Sequence, residues 1–355
     1  MKQGVPGSLK VSAVMIGTVI GAGFASGQEV IRFFTQYGEK GLGSIVLSGL
    51  LFIGICYLVL SDKSKDYAAY LRRLMSEFWA SALEEVTILF MLFGYGAMLS
   101  GSGALMEQEW GWNFYAGLLM MAGVSMGIFL AGKSGLVWLN MLLVPVMIVM
   151  LVWICLGGIG QEKLASASLQ TAPLSIPWEE LPSMQFLLDG VLYTSYNLLT
   201  LVPVLCTMQS VLRDRKSAIG AAALGGGILM ALSFILGLAS LINYDKMKGM
   251  EIPIFAMLGD SQVQSLLCCL VLLGAMLTTA VSDGYMCIRY LRERGVPAQG
   301  AILLVVGLGC GIGCLGFSSL VEKVYPLFGA LGLVLLGTIL WKGLRNRQRE
   351  KEQMR

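Results

Sequence analysis

Ten stretches of about 20 mainly apolar residues, separated by short polar breaks, confine this 355-residue chain to a lipid bilayer. They lie near residues 10–36, 41–61, 81–106, 112–132, 135–159, 185–212, 217–243, 262–291, 299–317 and 320–341. The expected fold class is an all-α membrane protein, because lipid offers no partner to a backbone that leaves its own hydrogen bonds unmade. Only 13% of the residues are charged, too few for a water-facing surface, which in ordinary domains takes about a quarter. A collagen-like or disordered chain is excluded as well: the 45 glycines keep no three-residue period, and 56% of the residues are hydrophobic. There is no histidine, which rules out haem or zinc chemistry built on imidazole and any histidine proton relay. The eight cysteines fall almost entirely within apolar runs and read as small core residues, not as a disulfide framework or a metal site.

Lys and Arg collect in cytoplasmic loops, so their distribution tests orientation. With the N terminus inside, 19 of the 25 basic residues are cytoplasmic, while Lys40, Lys163, Lys246, Lys248 and Lys323 lie outside and Arg32 lies within the first stretch. The expectation is an even number of spans in the cell membrane with both termini cytoplasmic. The net charge of +3 then follows from orientation and implies no nucleic-acid partner; the basic tail, residues 342–355, is expected against anionic headgroups. The first stretch is glycine-broken and runs into Gln28, Glu29 and Arg32, unlike a cleavable leader.

Three connections are more than turns. Residues 62–80 set Tyr67, Tyr70, Leu71, Leu74, Phe78 and Trp79 opposite Lys63, Arg72 and Arg73, the pattern of an amphipathic helix on the inner membrane surface. The segment 161–184, with Pro173, Pro177 and Pro182, divides one transmembrane domain into repeats of five spans, about 10–160 and about 185–341. The segment 243–262 carries an apolar patch, Ile252 to Leu258, placed to dip into an outer vestibule as a lid.

Polar residues at membrane depth mark where chemistry could sit. The first stretch holds Gly17, Gly21, Gly23 and Gly27 around Ala22, Phe24, Ala25 and Ser26, directly followed by Gln28, Glu29 and Arg32. Two readings stand: paired GxxxG packing, or an unwound segment facing a cavity. Charges at that depth favour the second, although Glu29 and Arg32, at i and i+3, also suit a mutual salt bridge. The sixth stretch sets Asp189, Tyr193, Tyr196, Asn197 and Thr200 on one face, with Thr194 and Ser195 between, and reads as an interhelical hydrogen-bond seam or as a second interrupted helix near 194–197. Interruptions at matching positions of two halves point to a transporter binding site, which favours the break. In the eighth stretch Ala275, Thr278, Thr279, Ser282 and Asp283 share a face, so hydroxyls bonded back to the preceding turn compete with hard oxygen ligands for a small cation. Tyr95, in the glycine- and serine-rich run 94–103, suits close helix packing better than a supporting role at a site. No Walker loop, G-x-S-x-G elbow or paired-carboxylate metal signature is present, so nothing points to an enzyme or an ATP-driven pump.

The opening Gly17-Thr-Val-Ile-Gly-Ala-Gly-Phe-Ala-Ser-Gly-Gln-Glu29, the length and the span count resemble the YkvI family of bacterial membrane proteins, relatives of the amino acid-polyamine-organocation transporters with the LeuT fold. The resemblance covers essentially the whole chain. It implies a 5+5 inverted repeat, helices one and six broken at mid-membrane, and alternating access. Substrate would then lie among Gly21, Gly23, Phe24, Ser26 and Gly27 of helix one and Tyr193, Thr194, Ser195, Tyr196 and Asn197 of helix six, with Tyr95 in support. Glu29-Val-Ile-Arg-Phe33 is similar to the Asn-Phe-Leu-Arg-Phe run of sodium-coupled members, which puts Arg32 at an outer-gate arginine. Ala275-Met-Leu-Thr-Thr279 is similar to their Ala-x-Leu-Thr-Ser segment, implying a sodium site of the Ala22, Ala25 and Ala275 carbonyls with the Thr278 and Thr279 hydroxyls. Glu29 replaces the asparagine that serves a second sodium in some members; a carboxylate there takes a proton or meets an ammonium group.

The expected function is a secondary transporter of an amino acid or similar small zwitterion or amine, coupled to sodium, with no other cofactor. The alternatives are proton coupling through Glu29, Asp189 or Asp283, and a membrane scaffold or sensor that has kept the fold without transporting.

Overall fold

The computed structural model describes residues 6–62, 64, 66–131, 136–165, 184–212, 214–259 and 261–353; the side chains of 136–143, 161–165 and 346–353 lie outside the description. The described residues are helical nearly throughout, with no strand. The first apolar stretch is three pieces: α1 (Gly7–Val19), the single turn α2 (Ala22–Ala25) and α3 (Gln28–Phe33). There follow α4 (Glu39–Leu60), α5 (Tyr67–Leu74), α6 (Glu77–Trp110), α7 (Phe114–Ala131), α8 (Leu136–Ala165), α9 (Gln185–Met208), α10 (Arg215–Ile242) and α11 (Tyr244–Met247). The chain closes with α12 (Gln262–Glu293), α13 (Ala298–Gly313), α14 (Phe317–Ser319) and, after a π-helical turn over Leu320–Val324, α15 (Tyr325–Gln353).

Among the described residues seven helices are long and apolar enough to cross a membrane, and three shorter apolar ones, Gly7–Val19, Val144–Gly160 and Ala298–Gly313, fall at the first, fifth and ninth stretches. The protein is a multi-pass membrane protein. Its helices form two packed groups. α4 is surrounded by α10, α9 and α15, with α1 against α10 and α9; α6 is surrounded by α12, α7 and α13. In lipid, association of this kind rests on close van der Waals fit. Glycines of α6 provide it: a Cβ on Gly103 would fall 2.6 Å from the Phe114 carbonyl oxygen, and one on Gly96 would fall 2.5 Å from Ile312 Cγ2. The groups meet where α2 packs on α12 and α6 touches α9.

Two expectations need correction. Helix six is not interrupted at 194–197: α9 runs unbroken from Gln185 to Met208, even through Pro203. The amphipathic segment is shorter than 62–80. α5 is capped by Asp66, whose carboxylate accepts the Ala69 amide at 2.7 Å, and stops at Leu74, so Phe78 and Trp79 belong to the exposed first turn of α6. The last helix carries its backbone through the basic tail as far as Gln353. The repeat boundary at 161–184 falls almost wholly outside the described residues.

Candidate functional site at the break in helix one

The break forms where the glycines sit. Helix α1 loses its pattern at Ile20 (ψ 82°), and Gly21 is extended at φ −95°, ψ −173°. After the α2 turn, Gly27 takes φ 88°, the left-handed region that glycine enters at no steric cost. Several carbonyls lose their helical partners here and must find others. The Ser26 oxygen accepts the Ile254 amide at 2.9 Å, and the Gly23 oxygen accepts the Ser26 hydroxyl at 3.0 Å. Packing explains Gly17, where a Cβ would fall 3.1 Å from Val144 Cγ2, but not the other three glycines. A Cβ on Gly21 would meet Thr279 Oγ1 at 3.7 Å, one on Gly27 would meet Met247 and the lid residues Pro253 and Ile254, and one on Gly23 would collide with the Glu29 carboxylate.

Glu29, in the first turn of α3, is buried and points back toward the break. The Tyr196 hydroxyl donates to its Oε2 at 2.5 Å. Among the described residues no lysine or arginine pairs with it. Around this contact stand aromatic rings: Phe33 lies 5.6 Å from Tyr193 and 5.3 Å from Tyr196, and Tyr196 lies 5.1 Å from Tyr325. A buried carboxylate beside aromatic faces is the chemistry that receives an ammonium group.

Arg32 is not Glu29's partner. Its Nη1 donates to Asp189 Oδ2 at 2.6 Å and its Nε to the Glu322 carbonyl at 3.1 Å; Tyr37 donates its hydroxyl to the same Asp189 oxygen at 2.6 Å. Asp189 is thus committed to an ion pair that ties helix one to α9, and the mutual Glu29–Arg32 bridge is replaced by this longer-range one. Nearby, Gln28 donates its side-chain amide to the Met250 and Glu251 carbonyls (2.8 and 3.1 Å) and to Ser318 Oγ (2.7 Å). Glu251 in turn accepts from the Ser318 amide and hydroxyl at 3.0 and 2.9 Å. The Ile252–Leu258 patch packs against the break: Ile252, Pro253, Ile254 and Met257 are buried, and the Ile254 amide donates to the Ser26 carbonyl.

The expected sodium ligands are brought to one place in part. α2 packs on α12, Ala275 and Thr278 are buried, and Thr279 faces Gly21. The Thr278 hydroxyl bonds back to the Ala275 carbonyl at 3.0 Å, and the Ala22 carbonyl accepts the Ser26 amide at 2.8 Å. On α9 these polar residues form neither a break nor an interhelical seam. Thr194, Ser195 and Asn197 donate to the carbonyls of Gly190, Val191 and Tyr193 one turn back, at 3.1, 2.8 and 3.0 Å, so within 193–197 it is the Tyr193 and Tyr196 rings that reach toward helix one. Tyr95 is placed elsewhere: its hydroxyl shares a 2.8 Å hydrogen bond with Ser125 of α7, and its ring packs against Gly284 and Gly309. Among the described residues no cluster of three or more Cys, Asp or Glu could hold a metal ion. Sequence reasoning missed the Gln28–Glu251–Ser318 cluster. Its only signal was the glutamine at membrane depth.

Comparisons with known proteins come from relatives and folds. No family model matches the chain. It is 27% identical over 357 residues to the "Uncharacterized membrane protein YkvI" of Bacillus subtilis (strain 168), covering 96% of this chain and 98% of that one. It is 26% identical over 338 residues to the "Uncharacterized protein YyaD" of the same organism, covering 94% and 96%. Among solved structures, the inward-facing conformation of Mhp1 superposes with a TM-score of 0.72 at 14% identity, over 94% of this chain and 75% of that one. Mhp1, a nucleobase-cation-symport-1 family transporter, in a closed conformation with bromovinylhydantoin bound, gives 0.68 at 14% identity over 94% and 77%. A mutant of the Eremococcus coleocola manganese transporter gives 0.50 at 12% identity, over 96% and 71%. At such identities the likeness is one of fold, and these neighbours are transporters rather than enzymes.

Proposed function

We propose that the chain is a secondary active transporter of a small amine-bearing solute, an amino acid or similar zwitterion or amine, that works by alternating access and is coupled to sodium. On this reading the ten apolar segments form a 5+5 inverted repeat in the cell membrane, with both termini in the cytoplasm. The observation that carries the proposal is the seating of the helix-one break against the Thr278–Thr279 face of α12. Backbone freed at membrane depth is tolerated only against protein or a cavity, and carbonyl and hydroxyl oxygens gathered there are hard donors for a dehydrated cation. The ligands are the Ala22, Ala25 and Ala275 carbonyls with the Thr278 and Thr279 hydroxyls. Because they come from two helix groups, an occupied site favours one relative arrangement of those groups, and the ion couples through that difference in affinity.

The solute's ammonium meets Glu29 and the faces of Tyr193 and Tyr196, while its carboxylate meets the free amides of the break. The Arg32–Asp189 pair and the docked lid close the outer end, in keeping with the fold's likeness to an inward-facing transporter. The test is uptake by the purified protein in liposomes over an amino-acid and amine panel, with sodium and proton gradients imposed separately. The variant carrying both Thr278→Ala and Thr279→Ala should insert and fold but lose sodium activation. Unchanged activation in it overturns the sodium site. A second reading, proton coupling at Glu29, is favoured by the Tyr196–Glu29 hydrogen bond in a place without a cationic partner among the described residues. It gains support if uptake follows the proton gradient alone and fails in Glu29→Gln. No uptake of any solute under either gradient would favour the scaffold alternative.

A further inference from the structure

α12 carries one charge between Gln262 and Ile288, Asp283, and the site at the break does not use it. Asp283 lies four residues beyond Thr279 on the same face, about 6 Å along the axis at 1.5 Å per residue, with Ser282 beside it. It is partly buried, and α6 makes room for it: a Cβ on Gly94 would fall 2.5 Å from Asp283 Oδ2. The titratable groups that feel it are Tyr325 from α15 and Cys287 on its own helix, and the Tyr95 ring of α6 packs against the next residue, Gly284. α2, α7 and α13 carry no charged residue, and α8 has only Glu162 and Lys163, in its last turn. No lysine or arginine pairs with Asp283 among the described residues. A carboxylate without a cationic partner is costly at this depth and is kept where a cation comes to it. Its oxygens are also the hard donors that a small monovalent cation prefers.

We propose that Asp283 is a second station for the coupling cation, one helical turn inward of Thr278 and Thr279, holding the ion on its way between the helix-one break and the cytoplasmic end of α12. The station rests on the transporter reading and on the orientation given above. The polar face Thr278, Thr279, Ser282, Asp283 is then a ladder: neutral oxygens bind the ion where helix one is unwound, and the carboxylate draws it inward when those ligands part.

The test uses the purified full chain and radiolabelled sodium, read as equilibrium binding and as dissociation into excess unlabelled sodium. The Thr278→Ala, Thr279→Ala double variant should lose binding. Asp283→Asn should keep equilibrium binding within about twofold yet release sodium about tenfold more slowly, because the intramembrane carboxylate that receives the ion is gone. Gly94→Ala, which displaces the carboxylate while leaving it charged, should slow release in the same direction and carries the test if Asp283→Asn does not fold. Release within about twofold of wild type in either folded variant overturns the station. If the wild-type protein binds no sodium, the sodium reading fails, and the same preparations are titrated between about pH 5 and pH 9 with an indicator dye. A proton station then requires Asp283→Asn to take up one proton fewer than wild type, and equal uptake overturns it.

Discussion

Gly23 and Glu29 are a matched pair: the missing side chain of one is the space the other's carboxylate occupies. Gly23→Ala should displace Glu29 from Tyr196, lowering stability by about 1–3 kcal/mol as overpacking does. Uptake should fall with it, measured in liposomes beside thermal unfolding in detergent. Gly43→Ala, on the exposed face of α4 with nothing within 4 Å, is the control and should change stability by less than about 1 kcal/mol. At this scale the sequence was partly legible. The cluster of glycines announced a backbone that leaves the helix, and the depth of Glu29 announced a buried carboxylate, because both costs are local. The partner of Arg32 was not legible. An i, i+3 acid on the same helix looks as good as any, whereas Asp189 lies 157 positions away and is chosen by packing.

The lid and the broken helix act as one element. Gln28 holds the segment through hydrogen bonds to the Met250 and Glu251 carbonyls, each worth about 0.5–1.5 kcal/mol net. Gln28→Ala should therefore cost about 2 kcal/mol of lid docking and raise opening more than tenfold. A thiol introduced by Ser26→Cys, buried under the lid, reports this as faster labelling by an impermeant reagent added outside, measured above the reactivity of the exposed Cys314. The continuity of α9 was the element the sequence concealed. Its Thr, Ser and Asn residues carry the same composition whether they line a gap or bond back to the turn before. In α9 they bond back, so a polar run without glycines stays helical where the glycine-rich run of helix one does not.

For the whole molecule, the charge asymmetry makes a direct prediction: reporter fusions after Lys163 and after Lys351 should fall on opposite sides of the membrane. The same side for both would overturn the orientation and the even span count. The apolar class was legible throughout, since hydropathy reads it residue by residue, and among the described residues seven helices are long and apolar enough to cross a membrane. The grouping of α4 with α9, α10 and α15, and of α6 with α7, α12 and α13, is a property of surfaces that no single stretch carries. One hydrogen bond reaches across that scale. The Ser26 carbonyl, released by the break, is satisfied by the Ile254 amide of the lid. When the lid lifts, both groups must be hydrated at once, so the outer face cannot open dry. On the proposed alternating-access reading, opening takes up solvent, and solutes too large to enter the vestibule oppose it osmotically, so the balance between the two faces responds to water activity as well as to cargo.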